Sequence, residues 1–223
     1  MGNYCVVNSS CCKKTVSIII PVSSSQIIKN EINSSLLKRS ISPHLPEEED
    51  FESKVVNEIN SVRTAPKTYA NKLKGMMSQI QHEGNITYLA LSNKEKVVLR
   101  NGEEPFISTI EYISSIKPMK ALILNQELRV NISNKNKKGI KNKQLEELMV
   151  KKRIEMLARY NKIQFTIDFI SNPILSVMLQ LIDESFKHER RNIILNQKFS
   201  DCAVSYTKDS KRQFISIITF AGK

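Results

Sequence analysis

The residues of this chain with the clearest chemistry stand at its amino terminus, Met1-Gly2-Asn3-Tyr4-Cys5-Val6, followed by Cys11-Cys12-Lys13-Lys14. Removal of Met1 exposes the amino group of Gly2 for myristoyl transfer, and the thiols of Cys5, Cys11 and Cys12 are open to palmitate. A single acyl chain anchors weakly, so these thiols, with Lys13 and Lys14 facing acidic headgroups, supply the second signal that a stable anchor needs. Val6 departs from the pattern, which prefers Ser or Thr there. The competing reading is a signal peptide, because Val16-Ser-Ile-Ile-Ile-Pro-Val22 follows two lysines. That run is short, contains Ser17 and Pro21, and begins about a dozen residues late. Asn85-Ile-Thr87 matches a glycosylation acceptor, which matters only for an exported chain.

Elsewhere the chemistry of catalysis is poorly supplied. The sequence has no Gly-x-Ser-x-Gly, no phosphate-cradling glycine loop, no Cys-x-x-Cys and no His-Glu-x-x-His, and none of His44, His82 or His188 has a motif partner. Carboxylate pairs without a defined cleft do not make a glycosidase. Cys202, the lone cysteine of the main domain, reads as a buried thiol in a strand rather than a nucleophile. With the other three cysteines in the first dozen residues, the domain has no internal disulfide framework, which points to a reducing compartment. The expectation is a protein that is not an enzyme and carries no metal or cofactor.

Composition sets the outer limits. The chain has 223 residues, 40% of them hydrophobic, enough to bury a full-sized core as one domain with extensions. No run approaches the roughly 18 apolar residues of a membrane span. The net charge of +12 accompanies heavy use of Lys, Ile and Asn, so it is weak ground for nucleic-acid binding, which is not expected. Residues 1–50 balance five basic against five acidic side chains, which leaves the excess to the rest. Lys135, Lys137, Lys138, Lys141, Lys143, Lys151, Lys152 and Arg153 concentrate much of it, as a solvated loop and helix face or as a patch for acidic lipids or partners.

The organisation that must position these groups has three parts: the segment 1–14 open to acylation, a linker or extended arm over 15–49, and a domain over 50–223. Serines, prolines and the run Glu47-Glu-Glu-Asp50 mark the second part, with a weakly patterned helix between Ile27 and Leu37. In the domain, Val55, Val56, Ile59 and Val62 follow helical spacing. Asp50 and Glu52 sit near the positive end of that helix dipole, and Pro66 opens a second helix through Tyr69, Leu73, Met76 and Met77. Ile86–Leu91 and Val97–Leu99 read as short strands. A helix follows through Ile110, Ile113 and Ile116, and another carries the apolar stripe Leu145, Leu148, Met149, Met156, Leu157 and Tyr160. Asn172-Pro173 starts a helix whose buried side holds Leu175, Met178, Leu181, Ile182 and Phe186. Phe199–Tyr206 and Phe214–Phe220 close the chain as a hairpin.

This order resembles the CAP superfamily, the cysteine-rich secretory, antigen 5 and pathogenesis-related 1 proteins, in a divergent protist-type form. The resemblance is carried by Asn60, Arg63 and Pro66 as Asn-x-x-Arg-x-x-Pro, by the segment Lys117–Leu128, and by Tyr160–Ser171. It is also carried by His188-Glu189-Arg190-Arg191-Asn192, where the family has Gly-His-Arg-x-Asn, and by the terminal hairpin. It implies an α-β-α sandwich with a mostly antiparallel central sheet, here with an N-terminal extension. It also implies a helix beginning within Lys117–Leu128.

In the family, two histidines and two acidic residues can hold a divalent transition metal in a central cleft. The corresponding positions here are Asn134 or Lys135, then Asp168, then Asp183 or Glu184, and Glu189, with His188 displaced by one residue. Without imidazole the set suits zinc poorly, and its carboxylates are expected to pair with Lys135 and Arg190. The expected function is a degenerate, non-enzymatic CAP-domain protein on the cytoplasmic side. It would bind protein partners while tethered to a membrane surface or held in a complex. Two alternatives stay open: a structural subunit of a large assembly, for example cytoskeletal, and an exported lipid- or sterol-binding CAP protein.

Overall fold

The structure is a computed structural model that describes residues 19–20, 48–91, 96–132, 142–185, 187–208 and 214–223. A two-residue strand, β1 (Ile19–Ile20), precedes the helix α1 (Glu48–Thr64). One side of α1 buries Phe51, Val55, Val56, Ile59 and Val62, as their spacing predicts. The chain breaks at Ala65, and Pro66, which has no N–H to leave unpaired, begins α2 (Pro66–Met77).

A small antiparallel sheet follows, made of β2 (Ile80–Glu83), β3 (Ile86–Ala90) and β4 (Lys96–Leu99), with β1 on the far side of β4. The residues of β2 lack the apolar alternation that makes a strand legible, since three of its four side chains are exposed. This sheet buries Leu89, Val97 and Leu99 against Tyr69 and Leu73 of α2 and against Phe106, Ile110 and Ile113 of α3 (Glu104–Ser115).

The region expected to begin a helix within Lys117–Leu128 does something else. It forms a short strand, β5 (Ile123–Leu124), and a 3-10 turn over Gln126–Leu128. Backbone bonds from Ile123 to Ser200 and from Asn125 to Cys202 tie it to a sheet edge. The Asn125 side chain then accepts the Glu127 N–H, which stabilises a turn and competes with helix.

The second sheet is the centre of the molecule. Its order is β5, β7 (Asp201–Lys208), β8 (Phe214–Gly222), β6 (Lys162–Asp168), antiparallel except where β5 runs parallel to β7. Cys202, Val204, Ile218 and Phe220 face α1 and the apolar α5 (Pro173–Ile182). On the opposite face, Ala203 and Ala221 pack with Leu128, Met156 and Tyr160, and Ile215 and Ile217 pack with Val130, Ile132 and Leu145. That second cover comes largely from α4 (Asn142–Met156), so helices flank the sheet on both sides. The layers are α-β-α, and the sheet is mostly antiparallel, as expected.

The α4 stripe is shorter than its sequence predicts. Leu145 and Met156 are buried, but the helix stops at Met156, and Leu157 turns outward at 56% exposure beside the exposed Val150 and Ile154. The link after it, Tyr160–Ser171, carries β6 as an edge strand. Asn172 caps α5 as its sequence predicts, its side chain accepting the Leu175 N–H at 3.0 Å. One close approach fixes the end of β8: a Cβ on Gly222 would stand 1.9 Å from the Lys198 carbonyl oxygen, so only glycine fits.

Candidate functional site

The Asn60, Arg63 and Pro66 motif turns out to be a staple. Asn60 donates to the Leu122 carbonyl at 3.0 Å and accepts the Leu122 N–H at 2.7 Å, which pins the approach to β5. Arg63, only 1% exposed, donates to the carbonyls of Lys120, Ile194, Asn196 and Phe199 at 2.8–3.1 Å. Its own carbonyl accepts the Met119 N–H. A guanidinium has five donors in a planar fork, which is why one side chain can hold two separate segments, at residue 120 and over 194–199, to α1. Burial lowers its pKa from the ordinary arginine value.

A second staple went unread in the sequence. Glu52, 2% exposed, accepts from Arg129, from Gln126 and from the Val204 N–H of β7. β5 covers β7 only at Asp201 and Cys202, so beyond it the carboxylate of Glu52 takes the place of a neighbouring strand. Its only sequence signal was an acidic residue near the amino end of a helix. Arg191 was likewise missed: buried and lowered in pKa by that burial, it donates to Thr109 at 2.9 Å and lies over the Tyr112 ring.

Of the positions matched to the family's cleft, Asn134 and Lys135 lie outside the described residues, as do Lys137, Lys138 and Lys141. Asp168, Asp183 and Glu184 collect around Arg190, the second residue of α6 (Glu189–Ile194). Asp183 caps α5 in a left-handed conformation, φ 31°, and its side chain is 1% exposed. Its Oδ2 accepts the Arg190 N–H at 2.7 Å, and its Oδ1 accepts the Ser185 N–H at 3.3 Å and two guanidinium contacts from Arg190 at 3.4 Å. His188, also left-handed at φ 47°, donates from Nδ1 to the Asp183 carbonyl at 3.0 Å. Glu184 accepts the Asn101 N–H at 3.4 Å while its carbonyl takes the Asn101 amide, and partial burial raises its pKa. Glu189 is exposed at the start of α6 and does not turn into the cluster.

Asp168 is the exception among these carboxylates. It ends β6 opposite Ser216, on the face toward α5. Oδ1 accepts the Phe169 N–H at 2.7 Å, but among the described residues Oδ2 meets no donor within hydrogen-bonding distance. Thr166 Oγ1, Gln180 Oε1 and Ser216 Oγ are buried in the same condition. Burial raises the Asp168 pKa from 3.8 to about 6, even though Ser176, the Phe169 N–H, Arg190 and Gln180 all favour its charge.

The remaining candidates are dispersed. Burial pushes the Cys202 thiol up to about 12, which leaves no thiolate near neutral pH. Gly2, Cys5, Cys11 and Cys12 lie outside the described residues. Lys143, Lys151, Lys152 and Arg153 share α4 with Glu146, Glu147 and Glu155, so the described part of the basic patch is a face of mixed sign. A shallow groove of about 480 Å³ runs along that helix past Val150 and Ile154, across the sheet from Asp168 and Asp183. No described helix is long and apolar enough to cross a membrane.

Packing and site together define a mixed α/β protein of the α-β-α sandwich class with a buried ionic cluster. No family model matches the chain, and no curated protein is similar to it. Among solved structures, it is similar to a cysteine-rich secretory protein from Staphylococcus aureus, at 13% identity and a TM-score of 0.36, over 74% of this chain and 60% of that one.

Proposed function

We propose that this chain is a degenerate CAP-domain protein that is not an enzyme and serves as an interaction module on the cytoplasmic side. It is held at a membrane surface by acylation of Gly2 and a neighbouring cysteine, or held within a larger complex. One observation supports this most: Asp183, where the family resemblance expects a ligating carboxylate, is engaged by Arg190 and by two backbone N–H groups. A carboxylate so held contributes to cohesion of the fold and is poorly available to a substrate or ion. Specificity then falls to the surface and to the amino-terminal segment.

Intact-mass measurement and cell fractionation of the full chain, beside a Gly2→Ala variant, test this reading. Acyl mass on Gly2 and on one of Cys5, Cys11 or Cys12, with Gly2→Ala released to the soluble fraction, is the expected outcome. An unmodified chain that sediments with an assembly favours the second reading, a structural subunit with an amino-terminal arm. The observation behind that alternative is the return of Ile19 and Ile20 onto β4.

A further inference from the structure

One turn of the small sheet is tied to the link between α5 and α6 through a chemically labile amide. After β4 the Leu99 carbonyl accepts the Gly102 N–H at 3.4 Å, closing a four-residue turn, Leu99-Arg100-Asn101-Gly102, just before α3. Asn101 reaches out of this turn to Glu184. Its Nδ2 donates to the Glu184 carbonyl at 3.0 Å, and its N–H to Glu184 Oε1 at 3.4 Å. The segment so tied runs from Asp183 to His188, two non-glycine residues in left-handed conformations, φ 31° and φ 47°. Each carries backbone strain that its surroundings must offset.

Asn101-Gly102 is the only Asn-Gly pair of the chain. Glycine has no side chain to crowd its nitrogen, and no described atom lies within 4 Å of where a Cβ would stand on Gly102. The bond that holds the Gly102 N–H is long for its kind and so is readily released. That nitrogen, on losing its proton, can attack Cγ of Asn101: an N–C bond forms, the Cγ–Nδ2 bond breaks, and Nδ2 departs as ammonia with a proton. Water then opens the cyclic imide to aspartate or isoaspartate. Both tethers to Glu184 lie at the surface, so neither closes this path.

The product reverses the contact. An ionised carboxyl group offers no donor to the Glu184 carbonyl, and its charge stands beside the Glu184 carboxylate, whose Oε2 is buried without a hydrogen bond among the described residues. Arg100 and Arg190 act on Glu184 and offset part of the repulsion. We propose that Asn101 is a site of spontaneous deamidation, and that its conversion releases the Asp183–His188 link from the small sheet, so that the protein carries a covalent timer. This holds whether or not the CAP-domain reading does.

The test holds the purified full chain at physiological temperature and mildly alkaline pH for weeks, with peptide mapping of every asparagine. Residue 101 should convert to aspartate and isoaspartate several-fold ahead of any other asparagine. Asn101→Gln, which keeps an amide but closes the ring poorly, should gain no acid there over the same weeks. In parallel, NMR reads hydrogen exchange at the N–H groups of Ser185 and Arg190, both bonded to the Asp183 carboxylate. Asn101→Asp, which carries the charge of the product, should exchange both several-fold faster than the fresh parent. Residue 101 still an amide at the end overturns the proposal, and so does exchange in Asn101→Asp that matches the fresh parent.

Discussion

Replacing Arg63 by Met should cost the fold about 3–5 kcal/mol, read as a large fall in the denaturant midpoint with little change in slope. The side chain makes four hydrogen bonds to backbone carbonyls, from Lys120, Ile194, Asn196 and Phe199. Removal leaves these carbonyls unpaired, two of the bonds being fully buried, and desolvation of such groups is costly. Arg63→Lys should recover less than half of the loss, because an ammonium cannot reach all four carbonyls at once. Since domains of this kind are stable by only about 5–15 kcal/mol, the Met variant should sit near the limit of folding. A loss under about 1 kcal/mol would mean that these carbonyls find other donors, and the staple would lose its meaning.

At Asp168 the expected change runs the other way. Its carboxyl pKa is raised to about 6 in the fold from 3.8, so the charged form is disfavoured by folding. The penalty is present in full above pH 6 and is relieved as pH falls through 6 toward 4, where the unfolded chain also becomes protonated. The shift corresponds to about 3 kcal/mol at neutral pH. Asp168→Asn keeps an oxygen for the Phe169 N–H and removes the charge, so it should stabilise the protein by about 2–3 kcal/mol at pH 7 and by little at pH 4. Urea unfolding of both proteins across pH 4–7 reads the difference directly. Destabilisation at pH 7 by the Asn variant would show that the charge is required where it lies.

Local chemistry was legible in the sequence. Asn172-Pro173 starts α5 because a cap and a first-turn proline act within one turn, and the terminal hairpin is buried along both faces, as helices on both sides of the sheet require. What was hidden is non-local. Arg63 was visible as a motif, but its meaning lies in contacts with residues 120 and 194–199. Glu52 was visible as an acidic residue near the amino end of α1, whereas its role depends on β5 leaving the Val204 N–H of β7 uncovered. Lys117–Leu128 was misread because Asn125 closes a local turn and a sheet edge binds its backbone. At the site, the pairing of Asp183 with Arg190 followed from residue types, while the burial of Asp168 was hidden because it stands on the polar side of β6, with Lys162, Gln164 and Thr166, against Ser176 and Gln180 of α5.

We propose that Asp183, at a cleft position, serves cohesion through Arg190 and two backbone N–H groups rather than ligation, and that Asp168 beside it holds no ion. Calorimetric titration of the full chain with zinc, beside Asp168→Asn and Asp183→Asn, tests it most directly. The account predicts no saturable one-to-one binding that depends on either aspartate. One-to-one binding that both substitutions abolish would contradict it.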